Sequence, residues 1–187
     1  PMTISLPRGI LIAIEGIDGA GKTTQARILQ QRFEAAGLTV VSTKEPTDRS
    51  EHGRRIRASA IGGRLSLTEE LHAFIEDRRE HVASLIEPAL AAGHVVIVDR
   101  YYFSTAAYQG ARGADVPRIL KRNEEFAPVP DVLVCVDTSF TTGRICRPSG
   151  ADGAYAVTTR AETYVVSVIP PAGSGYLSEY WSGKRTW

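Results

Sequence analysis

The stretch Ile10-Leu-Ile-Ala-Ile-Glu-Gly-Ile-Asp-Gly-Ala-Gly-Lys-Thr-Thr24 decides how the chain is read. Ile10 to Ile14 is a short continuous apolar run, the pattern of a parallel strand covered on both faces. Gly16, Ile17, Asp18, Gly19, Ala20, Gly21, Lys22 and Thr23 follow at once and fit G-x-x-x-x-G-K-[ST]. The glycines let the backbone curl so that successive N–H groups point at phosphate oxygens. A helix opening near Lys22 adds the positive end of its dipole. Lys22 then reaches the β- and γ-phosphates of a nucleoside triphosphate, the Thr23 hydroxyl ligates magnesium, and Thr24 completes the triphosphate-binding set. Ala26, Leu29 and Phe33 recur at helical spacing up to Gly37, so the loop stands between a strand and an amphipathic helix. That context marks a nucleoside-triphosphate site.

Outward from this unit, Leu38–Ser42, His94–Val98 and Asp131–Val136 read as further strands, with helical segments between them. The segment 51–63 is charged and weakly helical. Ser66 and Glu69 have capping-box spacing and open a helix that runs to about Ala92, with a kink expected at Pro88. Strands alternating with helices predict an α/β fold, a P-loop-type parallel sheet flanked by helices on both faces. After Thr138 the composition shifts. Gly, Ser, Thr and Pro dominate, Leu177 is the single leucine, and Tyr164–Ile169 is the sole strand-like run. The expected division is a P-loop nucleotide-binding core over 1–138 and an atypical tail over 139–187.

Composition bounds the function classes. The 187 residues carry 22 Lys+Arg against 21 Asp+Glu, and a net charge of +1 argues against a nucleic-acid-coating or polybasic membrane protein. With 43% hydrophobic and 23% charged residues the chain can bury a core. Cys135 and Cys146 make neither a disulfide framework nor a paired zinc motif. Apolar runs are too short for a bilayer span, and Pro7-Arg8-Gly9 interrupts what a signal peptide would need. The expectation is a cytoplasmic protein acting on small molecules, with no nucleic-acid or membrane partner.

Asp99 ends an apolar strand, at the sheet edge where open α/β folds bind ligands, and suits magnesium. ATP-driven motors place a glutamate next, to activate water. Here Arg100 follows, and it suits a second anion or else a surface acid. On the helix after Ser66 the buried stripe Leu71, Phe74/Ile75, Val82 is broken by Arg78. Phe74 and Arg78 share a face, so either they receive a nucleobase by stacking and hydrogen bonding, or Arg78 snorkels outward beside a core Phe74. Ser104-Thr-Ala-Ala-Tyr-Gln109 brings hydroxyls, a ring and an amide towards the same crevice. The four histidines show no metal spacing. Arg54-Arg-Ile-Arg57 reads as exposed, with one arginine within reach of a phosphate.

Taken together, Ile14 to Gln25, Lys44-Glu45-Pro46, Phe74-x-x-x-Arg78 with Arg79-Glu80-His81, and Asp99-Arg100-Tyr101-x-x-Ser104-x-x-Ala107-Tyr108-Gln109 resemble the thymidylate kinase family over roughly Gly9 to Thr138. The resemblance implies transfer of the γ-phosphoryl of ATP to dTMP, with Mg2+, in a homodimer. It implies that Phe74 stacks on thymine and Arg78 hydrogen-bonds its carbonyl edge, with Thr105 and Gln109 completing the base pocket. Arg100 would hold the acceptor phosphate, Asp18 the sugar hydroxyl, and Tyr108 would crowd the 2′ position. Lys22, Arg100 and Asp18 form the implied catalytic set, and Thr23 and Asp99 sit near the metal.

Two departures stand out. Gly19 occupies a position where many members carry an arginine, and the lid expected after the fourth strand is echoed only by Arg144-Ile145-x-Arg147. The tail therefore reads as an unusual lid, or as the aberrant terminus that a shifted reading frame produces. A deoxynucleoside kinase, with Glu45 as base, and a catalytically impaired nucleotide-binding module are the alternatives. A GTP-binding switch is not, because no Asn-Lys-x-Asp segment occurs.

Overall fold

A computed structural model describes residues 6–137, together with the backbone of three later strands. The strands are β1 (Ile10–Gly16), β2 (Val40–Lys44), β3 (Val95–Asp99), β4 (Val132–Asp137), β5 (Ala154–Arg160), β6 (Thr163–Val168) and β7 (Glu179–Lys184). The helices are α1 (Lys22–Ala35), α2 (Glu51–Gly62), α3 (Leu67–His81), α4 (Glu87–Ala91), α5 (Tyr102–Gly110) and α6 (Val116–Glu124). They build one sheet in the order β2-β3-β1-β4-β5-β6-β7. β1 lies parallel to β3, with Ile12 beside Ile97, and parallel to β4, with Ile14 beside Val134.

The continuous apolar reading of β1 has its expected cause, because alternate residues enter different cores. Leu11 and Ala13 join Val96, Val98, Val82, Ile86, Tyr101 and Tyr102 on one face. Ile12 and Ile14 join Val95, Ile97 and Ala26 of α1 on the other. A strand buried on both faces cannot alternate polar with apolar residues. From β1 the chain runs to β2 and β3 on one side, while β4 adds on the other. Such a reversal of strand order leaves a crevice at the carboxyl ends of the strands, which is where β1 delivers the glycine loop.

Two local expectations need correction. Ser66 and Glu69 do form the capping box, but the long helix does not simply kink at Pro88. It widens into a π-helical turn over Val82–Ile86, where the Glu87 N–H reaches back to Val82 O, and Pro88 sits in the first turn of α4. Proline lacks an N–H and its ring crowds the carbonyl one turn earlier. The wider turn just upstream accommodates both effects.

Beyond Thr138 the sequence pattern yields one strand, which corresponds to β6. The sheet carries two more, β5 parallel to β4, and β7 antiparallel to β6. Main-chain groups make those pairings, so a neighbouring sheet edge recruits segments whose side-chain pattern is weak. Arg144-Ile145-x-Arg147 and the expected lid lie outside the described residues. Among the described residues no helix is long and apolar enough to cross a membrane.

Candidate active site

The loop between β1 and α1 needs its glycines for separate reasons. A Cβ on Gly16 would lie 2.3 Å from Val136 O of β4, so the close approach of two strands excludes any side chain. Gly19 and Gly21 face open space but hold φ of 80° and 90°, the left-handed region that glycine enters without cost. Gly21 caps α1 with no side-chain acceptor, and the first turn carries no acid. Its first N–H groups are therefore left without a side-chain acceptor, the condition in which a helix start receives an anion. Lys22 is 6% exposed and folds over the loop, its Nζ donating to Ile17 O at 2.7 Å. Burial chiefly, and Arg100 next, hold the Lys22 amine below its ordinary value, while Asp99 and Asp18 pull the other way. Thr23 Oγ1 donates to Asp99 Oδ2 at 2.6 Å, so a hydroxyl and a carboxylate meet where α1 begins and β3 ends. A pair of oxygen ligands of this kind suits magnesium, and carries no thiolate or imidazole that would favour a softer ion.

Arg100 faces this pair across the crevice. It is the one described non-glycine residue with positive φ, at 70°. Its backbone N–H is tied to Ile14 O at 2.9 Å. That conformation is costly for a residue with a Cβ, and it turns the side chain into the cleft. The guanidinium pairs with Asp18, donates to Ser104 Oγ at 3.1 Å and lies 5.3 Å from the Tyr108 ring centroid. Burial works against its charge, yet Tyr108 and Asp18 together more than reverse this and leave Arg100 above the usual arginine value. Asp18, Lys22, Thr23, Thr24, Asp99 and Arg100 thus line one cleft of about 450 Å³.

Two further residues belong here. Arg57 of α2 also lines the cleft, and it is the member of the 54–57 run that does so. It is placed by donating to Thr47 O and Pro46 O. Thr47 is in turn pinned by buried Asp77, which accepts from Thr47 N at 2.8 Å and from Ser50 Oγ at 2.5 Å. Glu15 is the residue that sequence reading missed. It is 6% exposed beneath Arg100 and accepts from the N–H groups of Tyr101 and Ser104, at 2.8 and 3.1 Å, and from the Ser104 hydroxyl. The signal was present, since an acid inside a strand covered on both faces must find donors or be neutral.

Burial lifts the Glu15 carboxyl above its ordinary 4.5, against the pull of Ser104, Tyr101 and Arg100. The folded state then binds this proton more tightly than the unfolded chain does. The associated stability is fully present below about pH 4.5 and is lost as pH rises through the folded value. Glu15→Gln should remove that loss. In urea titrations between about pH 4 and 8, the stability of the variant relative to the parent should climb with pH and then level. A difference that stays constant across the range would refute the assignment.

Behind the cleft, α3 and α5 enclose a polar cluster in the core. Arg78 does not snorkel. It is 1% exposed and points inward, with Nε donating to Glu45 Oε2 at 2.7 Å, Nη1 to Asn123 Oδ1 at 2.6 Å and Nη2 to Thr105 Oγ1 at 3.1 Å. Glu45 also meets His81 Nδ1 at 2.9 Å, and His81 Nε2 meets Thr43 Oγ1 at 2.8 Å. A carboxylate so committed is not poised as a base for a sugar hydroxyl, which counts against the deoxynucleoside kinase alternative. Glu45 lines the same cleft as Lys22 and Arg100, and so joins the two regions. Phe74 is half-buried one turn before Arg78, Thr105 and Gln109 are buried on α5, and Tyr108 remains exposed beside Arg100. Among the described residues no group of histidines, cysteines and acids is arranged to hold a metal.

The family model described as thymidylate kinase matches residues 14–147. The chain belongs to the thymidylate kinase family. Its relatives include the thymidylate kinase of Xanthomonas euvesicatoria, 56% identical over 143 residues that make up 76% of this chain and 62% of the relative. The thymidylate kinase of Akkermansia muciniphila is 55% identical over 130 residues, 70% of this chain and 63% of the relative. A crystal structure of thymidylate kinase from Ehrlichia chaffeensis superposes with a TM-score of 0.64 at 37% identity, covering 71% of this chain and 78% of that one. The chain thus spans somewhat less than two thirds of the length of the curated relatives it matches. The matched region holds every cleft residue named above, and ends within the segment where the family's lid is expected.

Proposed function

We propose that the chain is a magnesium-dependent nucleoside-monophosphate kinase that transfers the γ-phosphoryl of ATP to dTMP, giving dTDP. The observation that carries the reading is the convergence of Lys22, Arg57 and Arg100 on the same cleft as the Thr23–Asp99 pair. Phosphoryl transfer asks the protein for in-line positioning and for positive charge around the transferring oxygens. The loop N–H groups and Lys22 receive the phosphates of ATP. Arg100, with Arg57 beside it, receives the acceptor phosphate. Thr23 and Asp99 are the residues that would hold Mg2+, which neutralises charge on the phosphate oxygens when bound. Asp18 takes the sugar hydroxyl and Tyr108 stands against a 2′-hydroxyl. Phe74 stacks on thymine. Arg78, whose Nε, Nη1 and Nη2 donate to Glu45, Asn123 and Thr105, keeps the N–H groups not so engaged for the base carbonyl.

The reading includes a core over 1–138 that carries the acceptor site, and a cytoplasmic homodimer. An apolar groove between α3 and α6, lined by Leu67, Leu71, Ile75 and Ile119, supports the second copy. The test is ADP release from ATP and magnesium with each nucleoside monophosphate added in turn. ADP that appears only with dTMP is the expected result. Binding of dTMP without ADP would leave an acceptor site that does not turn over, and neither binding nor ADP would overturn the reading.

A further inference from the structure

Two buried side-chain atoms among the described residues have no hydrogen-bond partner, His52 Nδ1 and Gln109 Oε1. The second lies in the base-side cluster, on a residue 2% exposed. Buried acceptors are seldom left unmade, so an orphan of this kind marks a place where a donor arrives from outside the chain. The other end of the same amide is fixed, because Gln109 Nε2 donates to Glu70 Oε2 at 3.1 Å. Glu70, itself buried, also accepts from Arg112 and from Arg64 Nε at 3.3 Å. An ionised carboxylate only accepts, so it must face the amide's NH2, and the reverse orientation would set oxygen against oxygen. Glu70 therefore decides which way Gln109 points.

The surroundings say what the orphan oxygen faces. Glu70, Phe74 and Arg78 are successive turns of one face of α3, while Thr105 and Gln109 share a face of α5. Glu70–Gln109 and Arg78–Thr105 cross-link the two helices on either side of Phe74. A base stacked on Phe74 would have its hydrogen-bonding edge between these cross-links. Resting on the kinase reading above, we propose that Glu70 is a positioning residue that sets base specificity through Gln109. By holding Gln109 Nε2 it presents Oε1 to a ring N–H, as N3 of thymine or uracil supplies, and rejects cytosine, whose N3 carries a lone pair.

The test is calorimetric binding of dTMP, dUMP and dCMP to the full chain, with no turnover required. Comparing dUMP with dCMP removes the methyl group from the argument. The parent should prefer dUMP by about 100-fold or more, since a site built around one hydrogen bond strongly rejects a ligand that cannot make it. In Glu70→Gln the new amide can donate to Gln109 Oε1, so the Gln109 amide is free to invert. The preference should narrow about tenfold through a gain in dCMP affinity, which structural damage cannot mimic. Glu70→Asp, which draws the carboxylate back, should shift the ratio the same way by less, and serves if Glu70→Gln does not fold. In a Gln109→Met background, Glu70→Gln should leave the ratio unmoved. An unchanged ratio in a folded Glu70 variant overturns the inference and leaves the kinase reading standing. Failure of the parent to bind dTMP overturns both.

Discussion

Arg100→Ala is expected to lower kcat/KM for dTMP about 10³-fold or more, with ADP release as the measurement. The side chain is fixed on three sides by Asp18, Ser104 and Tyr108, so its charge stands in place before the phosphates meet. Positive charge that need not reorganise during the reaction is the form of electrostatic help worth most. A fall of less than about tenfold would assign the acceptor phosphate to Arg57 or Lys22 instead. The backbone supplies an independent check. Arg100 sits at φ 70°, a conformation that costs a residue with a Cβ roughly 1–2 kcal/mol and glycine almost nothing. Arg100→Gly should therefore lose as much activity as Arg100→Ala yet be more stable by about 1 kcal/mol, or roughly 2–4 °C in Tm for a chain of this size. Equal melting temperatures for the two variants would mean that the strain is not stored at this residue. Their divergence would show a strained backbone kept for what its side chain does.

The fold was legible because its decisive unit is local. An apolar pentad, a glycine loop and an amphipathic helix follow one another without interruption, and each obeys a rule that short stretches reveal. The cleft was legible for the same reason, since Asp18, Lys22, Thr23, Asp99 and Arg100 all stand at or just past strand ends, and the sheet topology gathers strand ends. What remained hidden depends on partners distant in sequence. Glu15 reads as the residue before a glycine until Tyr101 and Ser104 arrive above it. Glu45 reads as a candidate base until Arg78 and His81 claim it. The direction of Arg78 turned on Asn123, a residue with no motif of its own. Strands β5 and β7 escaped notice because main-chain pairing, not side-chain pattern, recruits them.

The buried ion pair sets the second large expectation. Arg78→Ala should destabilise the chain by about 3–5 kcal/mol, because Glu45, 2% exposed, would keep its charge in the core without its guanidinium. At this chain length that corresponds to roughly 6–20 °C in Tm. The cause is the stranded charge more than the lost contact, and a second substitution separates the two. Arg78→Met combined with Glu45→Gln removes the charge and its partner together. It leaves an amide oxygen for His81, and an apolar stem where the guanidinium lay. The double variant should cost less than the sum of the single variants by about 2–3 kcal/mol in urea titrations, as coupled neighbours do. Strict additivity would mean that the pair is not coupled as the geometry implies. The same cycle decides how Arg78 is to be used as a probe of the base site. Loss of dTMP binding in Arg78→Ala alone confounds a missing base contact with a partly unfolded pocket. In the double variant, where the pocket's stability is largely restored, a persistent loss of dTMP affinity belongs to the guanidinium's own contact with the base. Recovered affinity would confine Arg78 to holding α3 against α5.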